Sequence, residues 1–167
     1  VGGLTVLKEL RRQLPEESTI YLGDEARMPY GEREAAEVVD FTRQAMRWFA
    51  GTDSKLVVLA CNTATAAALE TVREESEVPI IGVIRPGAAA AISATSSRAV
   101  GVLATRLTVR SGAYVRAIRD LDPFVDVIKH REQLTGLKGV EMENLLEEYR
   151  DKLDDQKIVS GRTGVKK

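Results

Sequence analysis

The sequence predicts an α/β fold built from parallel-sheet βα repeats. Three observations carry this. Short apolar, β-type runs alternate with helix-period segments along most of the chain. The run Lys55-Leu56-Val57-Val58-Leu59-Ala60 is continuously apolar after its first residue, as strands covered on both faces are. Strand-type runs then give way directly to Ala-rich helical segments, at 64–75 and again after Pro86-Gly87.

Each element has a local reason. Leu4, Leu7, Leu10 and Leu14 recur at helical spacing, with Lys8, Glu9, Arg11 and Arg12 between them, and Gly2-Gly3 reads as a glycine-rich turn leading in. Ser18-Thr19-Ile20-Tyr21-Leu22 is a short β-type run ended by Gly23-Asp24, and a polar loop follows to Gly31. Residues 32–50 are helical by period, with Val38, Val39, Ala45, Met46 and Phe49 inward and Gly51 as the stop. Trp48 in this helix reads as packing.

After the strand at 55–60, residues 64–75 form a helix and 78–84 the next strand. Pro86-Gly87 opens another helix, with Pro near the first turn where its missing N–H costs nothing. A strand at 99–103, a helix at 108–121 and a strand at 124–128 follow. The pattern blurs over 130–139, and 141–153 is again helical, with Met142, Leu145, Leu146, Tyr149 and Leu153 on one stripe. The predicted division is 1–84 as a first α/β domain, 85–155 as the start of a second, and 156–167 as a loose tail.

Composition narrows the function. The length of 167 residues suffices for one domain with a real core but is short for two complete ones. With 24 Lys+Arg against 25 Asp+Glu, the chain lacks the basic surplus a dedicated nucleic-acid binder uses to displace counterions. Aromatics at 5% leave few platforms for base stacking. No segment reaches the ~18 consecutive apolar residues of a membrane span, and no secretory signal pattern opens the chain. Cys61 and His130 are single residues of their kind, which excludes an intramolecular disulfide and argues against a Cys/His zinc site, so no metal is expected. A lone free thiol suits a reducing cytoplasm.

Ligands of open parallel sheets bind outside the carboxyl ends of the strands. Three segments fall there. Cys61-Asn62-Thr63-Ala64-Thr65 lies where a buried strand gives way to a helix, whose N-terminus favours a thiolate and offers N–H groups to a carboxylate or phosphate. Locally, Cys61 equally fits a small apolar residue packed at a strand end, with Asn62 or Thr63 capping the helix. The loop from Gly23 to Gly31 carries the Tyr30 hydroxyl and an approachable Gly31 backbone, yet also reads as a turn plus a helix start. Ala104-Thr105-Arg106-Leu107-Thr108 opens a helix, with Thr108 as its N-cap or both hydroxyls facing a ligand. His130, within Lys129-His130-Arg131-Glu132, and the charges of 147–152 read as solvated. Gly2-Gly3 comes with no Walker-type lysine, so nucleotide binding finds little support.

Taken together, these segments resemble the glutamate racemases of the aspartate/glutamate racemase superfamily. The carriers are Val1-Gly2-Gly3-Leu4-Thr5-Val6, Tyr21-Leu22-Gly23-Asp24 with Pro29-Tyr30-Gly31, Ala60-Cys61-Asn62-Thr63-Ala64-Thr65-Ala66, and Ile81-Gly82-Val83-Ile84 with Pro86-Gly87-Ala88. Thr105, Thr108-Val109 and Ser111-Gly112-Ala113-Tyr114 complete an ordered series reaching about residue 128. The resemblance implies two similar α/β domains with the active site between them. It implies cofactor-independent interconversion of L- and D-glutamate, supplying D-glutamate for peptidoglycan, with one cysteine on each face of the substrate Cα. A proton removed from one face and replaced on the other inverts the centre without an electron sink. By motif match Cys61 is the first of the pair. Tyr30, Gly31, Asn62 and Thr63 would hold the substrate's carboxylate and amino groups, and Thr105 and Thr108 fall on the family's threonine-bearing loop.

Departures from the family pattern carry their own expectations. The family's first strand and Asp-Ser-Gly would precede Val1, and Glu25 stands where a small hydroxyl residue is usual. The Cys-Pro segment expected after Ile128 is replaced by Lys129-His130-Arg131-Glu132-Gln133-Leu134. The second catalytic motif, Gly-Cys-Thr-His, would correspond to Gly161-Arg162-Thr163-Gly164, with Arg162 in the cysteine's place, unless the tail is unrelated sequence. The chain is therefore read as an incomplete racemase, inactive alone, because guanidinium cannot serve as a base near neutral pH. Its expected partner is the small molecule glutamate, with no nucleic acid and no membrane, and a homodimer is compatible with this reading. The alternatives are a non-catalytic racemase-like domain binding an amino acid or a protein, an aspartate or hydantoin racemase, and a fragment that does not fold alone.

Overall fold

The structure, a computed structural model, describes residues 2–129. Helix α1 (Gly2–Gln13) takes in both glycines, so they form its first turn and not a turn ahead of it. Gly3 is where Tyr21 crosses the helix: a Cβ there would stand 2.8 Å from the Tyr21 hydroxyl. No residue of α1 is buried. The expected strand at 18–22 is absent. Among the described residues its backbone finds no hydrogen-bonded neighbour, and Ile20, Tyr21 and Leu22 are exposed. Local β preference cannot by itself supply a ladder.

A single 3-10 turn, Tyr30–Glu32, precedes helix α2 (Ala35–Ala50), which starts later than the expected 32–50. Glu34 is extended, and its N–H donates to the Glu37 carboxylate at 3.1 Å, so the chain enters the helix there. Gly51 ends α2, but at φ −84°, outside the left-handed region. Val38, Thr42 and Met46 are buried. Trp48 does not pack inward as expected: it is half exposed, its ring edge-on to Phe49 at 5.0 Å.

Strand β1 (Val57–Leu59), helix α3 (Asn62–Glu75) and strand β2 (Ile80–Gly82) form one βαβ unit, with Val57 opposite Ile80 in parallel register. Helix α4 (Ile84–Ala94) begins at Ile84, a residue expected in the preceding strand, and holds Pro86 in its first turn. Strand β3 (Ala99–Val102) pairs in parallel with strand β4 (Asp126–Lys129), Ala99 opposite Asp126. Between them the single helix expected at 108–121 is two, α5 (Arg106–Ser111) and α6 (Ala113–Leu121). The break is Gly112 at φ +66°, a conformation that costs glycine nothing and other residues strain.

The described strands thus form two two-stranded parallel sheets, each with its own core. Met46, Val57, Ala68, Val72 and Ile80 make the first, and Ala88, Ala91, Val100, Ile118 and Val125 the second. Ala68 and Ala88 are fully buried, and their small side chains let α3 and α4 lie close to their neighbours. Helix α2 packs on α3, where Arg43 grips the Glu75 carboxylate with Nε at 2.8 Å and Nη2 at 2.6 Å. Helix α4 packs on α6, and α3 touches both α4 and α5, which joins the two halves. No described helix is long and apolar enough to cross a membrane. The helix expected at 141–153, the tail at 156–167, His130, Arg162 and Gly164 lie outside the described residues.

Candidate functional site

β1 ends at Leu59, and after Ala60 and Cys61 helix α3 begins at Asn62. Cys61 is the N-cap of α3. Its backbone is extended, its carbonyl accepts the Thr65 N–H at 2.9 Å, and its side chain makes no capping bond. The thiol is exposed. Asn62 and Thr63 are therefore first-turn residues and not caps, and the packed-cysteine reading does not hold. Cys61 immediately precedes the first turn of a 14-residue helix, whose N–H groups have no partner within the helix.

Asn62 and Thr63 reach across to the second half. The Thr63 hydroxyl lies 2.9 Å from that of Thr105, Thr105 lies 3.0 Å from Thr108, and Thr108 closes the triangle to Thr63 at 3.4 Å. Thr63 and Thr108 are buried, and Thr105 is exposed. Thr105, not the expected Thr108, caps α5, its hydroxyl accepting the Thr108 N–H. The Tyr114 hydroxyl donates to Asn62 Oδ1 at 2.7 Å, from α6 to α3. Gly31 comes against the same cluster: a Cβ there would stand 2.6 Å from Thr105 Cγ2. The Tyr30–Glu32 turn and the starts of α3 and α5 converge, because only glycine at 31 lets the turn lie this close.

Tyr30 is fixed from behind. Its hydroxyl donates to Asp24 Oδ2 at 2.5 Å, and Arg27 Nε meets the same oxygen at 2.6 Å. Arg27 also donates to Gln44 at 2.7 Å and lies over the Phe41 ring at 4.6 Å. Partial burial pushes the Asp24 carboxyl up, but the bonds from Tyr30 and Arg27 and the Arg27 charge outweigh it and hold it below the usual carboxylate range. Burial, then the bond to Asp24 and its charge, push Tyr30 upward, and Cys61 adds to the rise. Tyr30 therefore stays protonated with its proton committed to Asp24. Toward a ligand its oxygen can only accept.

Thr63, Thr105 and Thr108 are in mutual contact and Gly31 lies against Thr105, with Asn62 and Cys61 adjoining on α3 and Tyr30 adjoining through its turn. Asp24, Arg27 and Tyr114 hold these residues, and sequence reasoning assigned them no role. The Gly23-Asp24 turn was a weak signal for the first. Tyr114 is separated from Asn62 by 52 positions, so no local pattern could join them. Among the described residues no group of three or more His, Cys, Asp or Glu could hold a metal. What the cluster offers is a thiol, hydroxyls, an amide and backbone N–H groups, a surface rich in hydrogen-bond donors.

The family described as Asp/Glu/Hydantoin racemase matches residues 3–157. The chain belongs to this family. Among relatives of the family, a glutamate racemase of Streptococcus agalactiae is 48% identical over 128 residues, covering 77% of this chain and 48% of that protein. One of Trichormus variabilis is 51% identical over 127 residues, covering 76% of this chain and 43% of that protein. The chain thus spans about half the length of the curated relatives it matches. Among solved structures, a glutamate racemase isoform of Bacillus anthracis superposes with a TM-score of 0.78 at 35% identity, covering 97% of this chain and 74% of that one. The glutamate racemase of Francisella tularensis, solved in complex with D-glutamate, gives 0.75 at 32%, covering 95% and 62%.

Proposed function

We propose that the chain is a glutamate-binding part of a cofactor-independent glutamate racemase, with Cys61 as the acid/base group for one face of the substrate Cα. The observation that supports this most is the exposed Cys61 thiol at the start of α3, beside the Thr63–Thr105–Thr108 cluster. The substrate carboxylate is read as held by Asn62, Thr63 and the backbone N–H groups of α3. The amino group is read as held by oxygens that accept, Tyr30 among them. Gly31 keeps the turn close enough for both, and Thr105 and Thr108 shape the wall.

In this reading Cys61, as thiolate, takes the Cα proton, leaving the electron pair delocalised toward the carboxylate. Inversion needs a proton delivered to the opposite face by a second thiol. The chain has one cysteine, so the 167-residue chain binds glutamate without racemising it. The proposed division is 1–84 and 85–155, with the ligand between. The racemase of which the chain is read as a part would act in the cytoplasm, supplying D-glutamate for peptidoglycan and so the cell wall.

Calorimetry with L- and D-glutamate, followed by chiral analysis after long incubation in deuterium oxide, tests this. Binding with no change of enantiomer is expected. D-glutamate formed from L-glutamate would overturn the claim of inactivity. Binding of aspartate or a hydantoin in preference to glutamate, or of none of them, would overturn the substrate.

A further inference from the structure

We infer that Tyr114 is a positioning residue: by donating its proton to Asn62 Oδ1 it orients the side-chain amide so that Asn62 offers its two N–H donors to an anionic ligand oxygen. An asparagine amide is ambivalent, with an acceptor end and a donor end of nearly equal shape. Near a carboxylate, only the donor end is useful, so something must settle the orientation. The Tyr114 hydroxyl donates to the oxygen end at 2.7 Å, which leaves the nitrogen end for another partner. Among the described residues, the Asn62 amide nitrogen makes no hydrogen bond of its own. Burial pushes the Tyr114 hydroxyl upward, so it stays protonated and able to donate.

The hydroxyl is itself boxed in. Gly87 of α4 lies against it, and a Cβ at that position would stand 3.1 Å from the Tyr114 oxygen. Asn62 belongs to the β1–α3 half, while Tyr114 and Gly87 belong to the other. The donor set presented to a ligand therefore depends on how the two halves are joined, and Tyr114 is the group that transmits it. The assignment of an anionic oxygen rests on the glutamate reading above, while the orientation of Asn62 does not.

The test uses the ¹⁵N-labelled 167-residue chain, with the Asn62 side-chain N–H pair identified by its loss in Asn62→Asp. Tyr114→Phe keeps the ring and removes only the hydroxyl. The Asn62 pair is expected to shift and broaden while the methyl spectrum stays that of the folded chain. D-glutamate affinity is expected to fall about fivefold or more, as the loss of one fixed hydrogen bond gives. Gly87→Ala, which pushes on the hydroxyl without removing it, is expected to shift the same pair and serves if Tyr114→Phe does not fold. Asn62→Asp still offers an acceptor to Tyr114 and is expected to fold but lose D-glutamate. An Asn62 pair unmoved in both Tyr114→Phe and Gly87→Ala overturns the inference, as does a moved pair with unchanged D-glutamate affinity. Failure of the wild-type chain to bind D-glutamate overturns the substrate reading, and the Asn62 signals then decide the orientation alone.

Discussion

The hydroxyls of Thr63 and Thr105 lie 2.9 Å apart although 42 positions separate the two residues. One belongs to the first turn of α3 and the other caps α5, so this pair ties the starts of two helices from different βα units.

Thr105 has two duties, the cap and the bridge. Thr105→Ala is expected to destabilise the chain by about 1–2 kcal/mol, the usual cost of a lost N-cap. Thr105→Ser, which keeps the hydroxyl, is expected to cost clearly less. Urea denaturation of both variants checks this, and equal midpoints for Ala and Ser would refute the capping role.

Gly82 is a matter of space. A Cβ there would run into Thr65 Cγ2 and come within 2.9 Å of Leu69 Cδ2. Gly82→Ala is expected to cost about 1–3 kcal/mol through overpacking. Adding Thr65→Ser, which removes that methyl and keeps a hydroxyl for the Leu59 carbonyl, is expected to restore part of it. A double-mutant cycle measures the coupling, and strict additivity would show that the two residues do not collide.

Asp24 makes a prediction about acid. Its folded-state ionisation lies below the ordinary value, so its contribution is fully present above about pH 4 and is lost as pH falls through the lower folded value. The stability gap between wild type and Asp24→Asn should therefore be flat from pH 5 to 8 in urea titrations and close on further acidification. Parallel curves down to about pH 2 would deny Asp24 this role.

Cys61 should react as the exposed thiol it is. One equivalent of an aromatic disulfide reagent is expected to label the native chain without denaturant, and Cys61→Ser to remove the labelling while leaving the circular dichroism spectrum intact. Saturating D-glutamate should slow the labelling severalfold. A thiol that reacts only after unfolding would contradict the exposure of Cys61.

Much of the architecture was legible because it depends on local pattern. The apolar run around Val57–Leu59 and the Ala-rich segments after it are explained by burial on both faces and by helical period. The misreadings fall where distant packing or a single backbone conformation prevails over pattern. Residues 18–22 have a strand's composition but no partner among the described residues. The helical period ran straight through Gly112, whose φ of +66° divides α5 from α6.

The site shows the same division. The amino-acid sequence by itself determined the βα order, the position of Cys61 at a strand-to-helix junction, the family, and the presence of a single thiol. These follow from periodicity, composition and motif order, which are properties of neighbouring residues. Only the tertiary structure decided that Thr63 meets Thr105 and Thr108, that Gly31 fits against Thr105, that Asp24 accepts the Tyr30 hydrogen bond, and that Tyr114 holds Asn62. Such contacts depend on distance and direction, and in all but the Asp24–Tyr30 pair the partners lie far apart in the chain. Packing the two cores sets those distances, and no pattern along the chain encodes them.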